Sequence, residues 1–216
     1  MPGAAALAAG LTLTGFGVAA VADRAAVPAA TPSVADVGDL PTTVHGPAPA
    51  GPGTTALESS RAPAAPPVRL RIPRIGVDTA LSDLMVQDDG HLAAPAAPDT
   101  AGWWSQGPVP GSPGTAVIVG HLDSRTGPAV FAGLGALRPG DEIDVRAVDG
   151  TSTTFTVQAL RSYEKQDFPA EQVFGDTAEP SLRLITCGGD YDRTAHAYRA
   201  NLVVFAAPAP TPTRAG

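Results

Sequence analysis

Three residues of this sequence have side chains and positions suited to acyl-transfer chemistry. Cys187 is the only cysteine of the 216 residues and stands at the end of an apolar run, directly before Gly188-Gly189. His121 ends a second apolar run, and Arg199 follows the cysteine by twelve residues. Two-step acyl transfer needs a nucleophile, a proton donor and a group that stabilises the oxyanion, and these residue types can supply all three.

Strand alternation predicts how the cysteine and the arginine meet. In a strand over 182–187, Arg183, Ile185 and Cys187 share one face. If the next strand returns antiparallel, a register that pairs Cys187 with Arg199 sets their Cβ atoms roughly 5 Å apart. A guanidinium so close favours a thiolate and can donate hydrogen bonds to a developing oxyanion. His121 also ends a strand, so the three side chains are expected to converge on one cleft.

Each of these residues also has a structural interpretation. A lone cysteine is most often a small buried hydrophobe, and a single histidine or strand arginine is most often structural. A triad of Ser124, His121 and Asp123 is disfavoured because neighbours in sequence rarely reach the required geometry. Arg193, in the polar loop after the cysteine, competes with Arg199. Four histidines allow several pairings with the cysteine: His45, His91, His121 and His196.

Charge and cysteine content exclude several classes of function. A net charge of −7 argues against nucleic acid as a partner, because binding rewards clustered Lys and Arg. One cysteine cannot form an internal disulfide or a zinc site with two thiolates, and we predict no metal and no cofactor. Lys165 is the single lysine, a usage that we attribute to genome composition.

Composition divides the chain into four parts. Residues 1–24 include Ala4–Ala22, nineteen residues without a charge and long enough to cross a bilayer, and are predicted to be a signal anchor or a signal peptide cut after Ala22. Residues 25–67 are rich in Pro and Ala and are predicted to be a disordered linker, which when extended spans on the order of 100 Å. Residues 68–207 are predicted to form the folded domain, and 208–216 a disordered tail.

The folded part has the pattern of a β protein. Short alternating or apolar segments are separated by Pro and Gly, which favours a closed β-barrel or a sandwich. One helical turn or two is predicted at 129–137, and Asp149-Gly150 predicts a hairpin with a primed turn. The predicted strands are Val68–Ile72, Thr115–Val119, Glu142–Val148, Thr154–Val157, Leu182–Thr186 and Tyr198–Phe205.

Three motifs in this order resemble the sortases, the cysteine transpeptidases of bacterial surfaces. The cysteine motif is Leu184-Ile-Thr-Cys187, the arginine strand begins Tyr198-Arg199, and the histidine motif is Val117-Ile-Val-Gly-His121. The segments 127–131 and 137–141 are most similar to actinobacterial class F members. The resemblance spans 68–207.

The resemblance implies an eight-stranded β-barrel with short helical turns and a groove on its outside. It implies that Cys187 attacks a Leu-Pro-x-Thr-Gly-like sorting signal between Thr and Gly, that His121 protonates the leaving amine and that Arg199 stabilises the oxyanion. Ile185 and Thr186 are expected to bind substrate. The partners implied are the sorting signals of secreted proteins, a peptidoglycan precursor or other cell-wall amine, and the membrane through residues 1–24. The catalytic domain is expected outside the cytoplasm, anchored or secreted.

Two other functions stay open. An L,D-transpeptidase is also a cysteine acyl-transferase of the wall, although its Ser-His-Gly-Cys neighbourhood is missing around Cys187. A non-enzymatic exported β-barrel with an inert cysteine is the second. The linker also contains Leu40-Pro41-Thr42-Thr43, which matches the first four positions of a sorting signal and which a Pro/Thr-rich segment readily produces by chance.

Overall fold

A computed structural model describes residues 36–41, 64–88 and 90–210. The predicted hydrophobic segment 1–24 lies outside these residues. Within them, no helix has both the length and the apolar character needed to span a bilayer. The strands are β1 Val37–Gly38, β2 Pro67–Ile72, β3 Val77–Leu84, β4 Ala101–Trp104, β5 Gly114–Gly120, β6 Asp123–Ser124, β7 Gly127–Pro128, β8 Glu142–Ala147, β9 Ser152–Glu164, β10 Pro180–Asp192 and β11 Ala197–Pro208; the one α-helix described, α1, is Ala170–Phe174.

Eight of the strands close into a barrel, as predicted. They follow the order β9-β11-β10-β5-β4-β3-β2-β8, and β8 pairs back onto β9. The long strand β9 makes closure possible, because residues 152–156 pair with β8 while 155–164 pair with β11. Two pairings are parallel, β10 with β5 and β3 with β4. The parallel β5–β10 pair brings the ends of two buried strands to one edge of the sheet.

The barrel interior is filled by the inward half of each alternating strand. Its largest side chains include Phe131, Phe155, Leu70 and Ile118, all 0% exposed. The interval 129–137 contributes to this core and forms one helical turn, a 3-10 turn at Leu134–Ala136, within the one or two turns predicted. Its residues Phe131, Leu134 and Leu137 are all 0% exposed.

The hairpin of β8 and β9 is confirmed, but its turn is not a primed turn. A primed type I turn needs positive φ at both central residues. Gly150 has a φ of +85° whereas Asp149 does not have a positive φ, and the Gly150 amide donates to the carbonyl of Ala147. The arrangement is a longer loop in which a left-handed glycine ends the turn.

Residues 36–41 depart from the prediction that 25–67 form only a spacer. The strand β1 extends the edge of β9, with Val37 opposite Leu160 and Gly38 opposite Ala159. Gly38 has a φ of +77°, and an added Cβ would lie 2.1 Å from the carbonyl oxygen of Gln158, so only glycine fits here. A short part of the predicted linker is therefore joined to the barrel.

Candidate active site

The pairing of β10 with β11 places Cys187 on the outer face of the barrel, half-buried. The predicted register was wrong, because Cys187 lies opposite Asn201 and not Arg199. The two strands continue to the Asp192–Ala197 pair, so the turn comes later than the sequence suggested and would by itself set Cys187 opposite Leu202; a bulge after Gly188 brings the pairing back by one residue, to Asn201. The offset from prediction is two residues, which leaves Arg199 on the predicted face of β11.

Arg199 is held by an acidic residue of the same hairpin. Its Nη2 lies 3.0 Å from Oδ2 of Asp192, and its side chain is 62% exposed. The Asp192 carboxylate also accepts hydrogen bonds from the backbone amides of Thr194 and Ala195. Those amides, followed by Arg199, lower the pKa of Asp192. The guanidinium is thus fixed near the site but already has a counter-ion.

His121 reaches the same level of the sheet as Cys187. The parallel register of β5 and β10 pairs Val119 with Ile185, and β5 ends at Gly120, so His121 follows at the level of β10 that carries Cys187. The Nε2 of His121 lies 2.8 Å from the carbonyl oxygen of Pro95. A carbonyl only accepts, so Nε2 carries the hydrogen in this contact and Nδ1 is the other available nitrogen.

A tyrosine and an aspartate join the histidine segment to β11. The hydroxyl of Tyr198 donates to Oδ2 of Asp123, two residues after His121. Burial, then the Asp123 carboxylate, raises the pKa of Tyr198 to about 12, and the nearby Cys187 contributes in the same direction. The Tyr191 ring packs edge-on at 5.1 Å between centroids. This contact closes one side of the site beside the thiol.

Lys165 is the cation that the structure places on the thiol. Its Nζ donates to Sγ of Cys187 at 4.0 Å. Lys165 comes directly after β9, at the start of the segment 165–174, and reaches across β11. From the sequence alone, the use of a single lysine was explained by genome composition and not by a function. Its position at a strand end, as the single lysine of the chain, was the signal available.

The two predicted substrate-binding residues have opposite environments. Ile185 lies on the outer face with Cys187 and is 7% exposed. Thr186 alternates to the inner face and is 2% exposed, with no hydrogen-bond partner for its hydroxyl. The side chain of Thr186 therefore does not line the groove, which argues against its predicted contact with substrate.

A second apolar cluster, the outer cluster, covers the strands beside Cys187. It continues into the segment 165–174 and includes Leu40 of the linker. Its buried members are Val117, Ala159, Val173, Ile185, Val203 and Phe205, and partly buried neighbours are Leu40, Leu92, Trp104, Val119, Tyr163, Phe168 and Phe174.

The outer cluster also holds a buried arginine. Arg183 is 1% exposed, its guanidinium lies 4.5 Å from the centroid of Phe205, and its Nε has no hydrogen-bond partner. Burial lowers the pKa of Arg183 to about 10, an effect that Tyr163 partly opposes. The side chain stays charged at neutral pH and stiffens the sheet behind the cysteine by cation–π packing. Alternation predicted its face but not its burial.

Comparison with known proteins decides the family. The model described as the Sortase domain matches residues 70–209, well over half of the chain. The chain belongs to the sortase family. Sortases are cysteine transpeptidases, so this sortase is an enzyme of that type, acting at the cell wall.

Solved sortase structures share its fold. Sortase A from Corynebacterium diphtheriae matches with a TM-score of 0.52 at 19% identity, over 70% of this chain and 65% of that chain. Sortase C-1 from Actinomyces oris matches with a TM-score of 0.51 at 19% identity, over 67% and 74%. No curated protein matches the chain.

Proposed function

We propose that this sortase cleaves a Leu-Pro-x-Thr-Gly-like sorting signal between Thr and Gly and transfers the acyl group to a cell-wall amine. The observation that carries the proposal is the register of β5 and β10, which pairs Val119 with Ile185 and so sets the end of β5, where His121 follows, beside the part of β10 that carries Cys187. A nucleophile and a proton donor at one level of a sheet are the minimum for acyl transfer.

In the first step, the Cys187 thiolate attacks the carbonyl carbon of the Thr residue, and a carbon–sulfur bond forms. Arg199 is the proposed donor to the oxyanion. When the tetrahedral intermediate collapses, the bond to the Gly nitrogen breaks and His121 gives that nitrogen a proton. Because Nε2 of His121 is anchored on Pro95, Nδ1 is the nitrogen that we propose for this transfer.

In the second step, an amine of a peptidoglycan precursor attacks the thioester. A new amide bond forms, the carbon–sulfur bond breaks, and Cys187 leaves as the thiolate while His121 takes the proton released by the amine. Water in place of the amine gives hydrolysis, which is the endopeptidase reaction. The product of transfer is a protein joined covalently to the wall.

The outer cluster is the proposed binding surface for the apolar part of the signal. Ile185 lies two residues before Cys187 on the same face, and Phe168 and Phe174 extend the apolar surface away from the thiol. A Leu side chain gains about 1.5–3 kcal/mol when fully buried.

Residues 1–24 are the proposed membrane attachment, with the barrel outside the cytoplasm. The assignment to class F also stays a prediction.

The test traps the acyl-enzyme. The full chain is incubated with a Leu-Pro-x-Thr-Gly peptide, acid-quenched and measured by intact-protein mass spectrometry. We expect an added mass equal to the peptide up to Thr, on Cys187 and sensitive to hydroxylamine. An acceptor amine is expected to discharge it into an amide product.

The matched control is Cys187→Ala, which removes the sulfur alone. Peptide cleavage by this variant, or no adduct with any Leu-Pro-x-Thr-Gly peptide in the wild type, contradicts the proposed function. An adduct on another residue contradicts the assignment of the nucleophile.

A further inference from the structure

A row of paired residues in three neighbouring strands connects Cys187 with the part of β9 that precedes Lys165. Cys187 pairs with Asn201 of β11, and Asn201 pairs with Tyr163 of β9, so the three lie in one row of the sheet. Lys165 follows Tyr163 by two residues. Its chain extends back over β11, and Nζ lies 4.0 Å from Sγ, within donor distance for sulfur.

The charges around the thiol divide into pairs. Asp192 is paired with Arg199 at 3.0 Å, and Asp123 accepts the hydroxyl of Tyr198. These two carboxylates are therefore engaged, whereas the described donor contact of Lys165 is to sulfur. Arg199 therefore has a carboxylate at hydrogen-bond distance, whereas the Lys165 ammonium contacts the sulfur of the proposed nucleophile.

We propose that Lys165 is a further catalytic residue, whose ammonium group donates a hydrogen bond to Sγ of Cys187 and stabilises the thiolate. The inference rests on the proposed role of Cys187 as nucleophile. The charge acts twice, before the sulfur attacks the Thr carbonyl and again when the sulfur leaves the thioester. The proton stays on Nζ throughout, so Lys165 adds electrostatic stabilisation without a transfer step.

The division of labour follows from this geometry. Lys165 holds the sulfur, which frees Arg199 for the substrate oxygen. A guanidinium is suited to that second task because it presents several donors in one plane. Asp192 keeps the guanidinium in place until substrate arrives. One cation thus serves the nucleophile and the other serves the oxyanion.

The experiment measures local charge at the sulfur directly. Native full-length protein is alkylated at low ionic strength with iodoacetate, which is negative, and with iodoacetamide, which is neutral. The variants are Lys165→Met, Lys165→Arg and, as a matched control, Arg125→Met, which removes an exposed positive charge from the turn between β6 and β7. The readout is the ratio of the two rate constants, which general exposure of the thiol does not change.

We expect Lys165→Met to lower this ratio about threefold to fivefold, the size of a solvent-exposed charge interaction. Lys165→Arg and Arg125→Met should keep the ratio within about twofold of the wild type, and added salt should reduce the wild-type ratio toward that of Lys165→Met. An unchanged ratio in Lys165→Met overturns the inference, and so does an equal fall in Arg125→Met.

Peptide turnover separates this inference from the proposed function. Lys165→Met should lower kcat about tenfold with KM within about twofold, since the contact is to the nucleophile and not to the substrate. A rise in KM alone overturns the inference in favour of a packing role for the segment 165–174. Alkylation that responds to Lys165 in a wild type that cleaves no sorting peptide leaves the cation assignment standing and removes the proposed substrate.

Discussion

The two faces of the β10–β11 hairpin are built from the same strands and do different work. The inner face presents Leu184 and Leu202, which are at most 4% exposed and pack in the apolar core of the barrel. The outer face presents Cys187 and Arg183, together with a smaller apolar cluster. These inner positions need only side chains of the right volume. The polar groups of the outer face need specific partners: Arg199 has a carboxylate and the thiol has an ammonium group, while the neighbouring His121 has a backbone carbonyl. Stability and activity are therefore separable along one hairpin.

The largest effect is expected from Cys187→Ala. Cleavage and transfer should both be abolished, because no second thiol exists in the chain to form the acyl-enzyme. The melting temperature should stay within a few degrees, since the cysteine is only half-buried. Circular dichroism measures the melting temperature, and a peptide-release assay measures the activity. A large fall in melting temperature would contradict the separation of stability from activity between the two faces.

The next largest effect is expected from His121→Ala and Arg199→Ala. Each should lower kcat/KM at least about a hundredfold, the usual contribution of an acid–base or oxyanion group. The matched control is Arg193→Ala, an exposed arginine in the turn of the same hairpin. Near-normal activity in Arg199→Ala together with loss in Arg193→Ala would show that the oxyanion arginine was assigned to the wrong position.

Leu184→Ala tests the inner face. Removing a fully buried Leu should lower the free energy of unfolding by about 2–5 kcal/mol, measured by urea titration. The fraction that stays folded should retain near-normal kcat, because the inner face makes no contact with substrate. The matched outer substitution is Ile185→Ala, which should also lower the free energy of unfolding because Ile185 is buried, but which alone of the two should raise KM. The same response from both variants would remove the distinction.

Leu40→Ala is expected to have the smallest effect. The pairing of β1 carries the chain along β9 from Leu160 to Ala159, away from the row of Tyr163 and Asn201 that leads to Cys187. We expect Leu40→Ala to lower the free energy of unfolding by less than about 1–2 kcal/mol, because this side chain is only partly buried, and to leave KM unchanged. Should KM for a sorting peptide fall in Leu40→Ala, the linker competes for the groove after all.

Periodicity was enough to predict a β-barrel or a sandwich and the faces of the strands, and the resemblance to the sortases selected the barrel. The alternation in 182–187 put Arg183 and Cys187 on one side correctly. Register was not predictable, because it depends on where the turn after Asp192 closes and on a bulge, which a single residue of either strand can shift. The strands β3 and β4 escaped detection because a buried position of β3 holds a threonine, Thr79, and because β4 is only four residues long.

Lys165 shows the limit of the site prediction. Motif spacing predicted the roles of the cysteine and the histidine, because each directly follows a run of buried strand residues. The lysine acts over the length of its own side chain, across an intervening strand. No pattern in sequence reports a contact that depends on which way a long, exposed side chain turns. The same holds for Asp192, whose link to Arg199 follows from the turn.

The pairing of β1 with β9 changes how far the enzyme can range. If the chain is anchored through residues 1–24, as proposed, the standoff is set by the residues before Asp36, roughly a dozen, and an extended chain of that length spans about 40 Å. The remainder of the linker starts and ends on the barrel and adds no reach. A tether of 40 Å instead of 100 Å confines the groove to a volume more than about tenfold smaller, and the local concentration of membrane-bound substrates and wall precursors rises in proportion. In a chain anchored in this way, a two-residue strand shortens the tether of the catalyst.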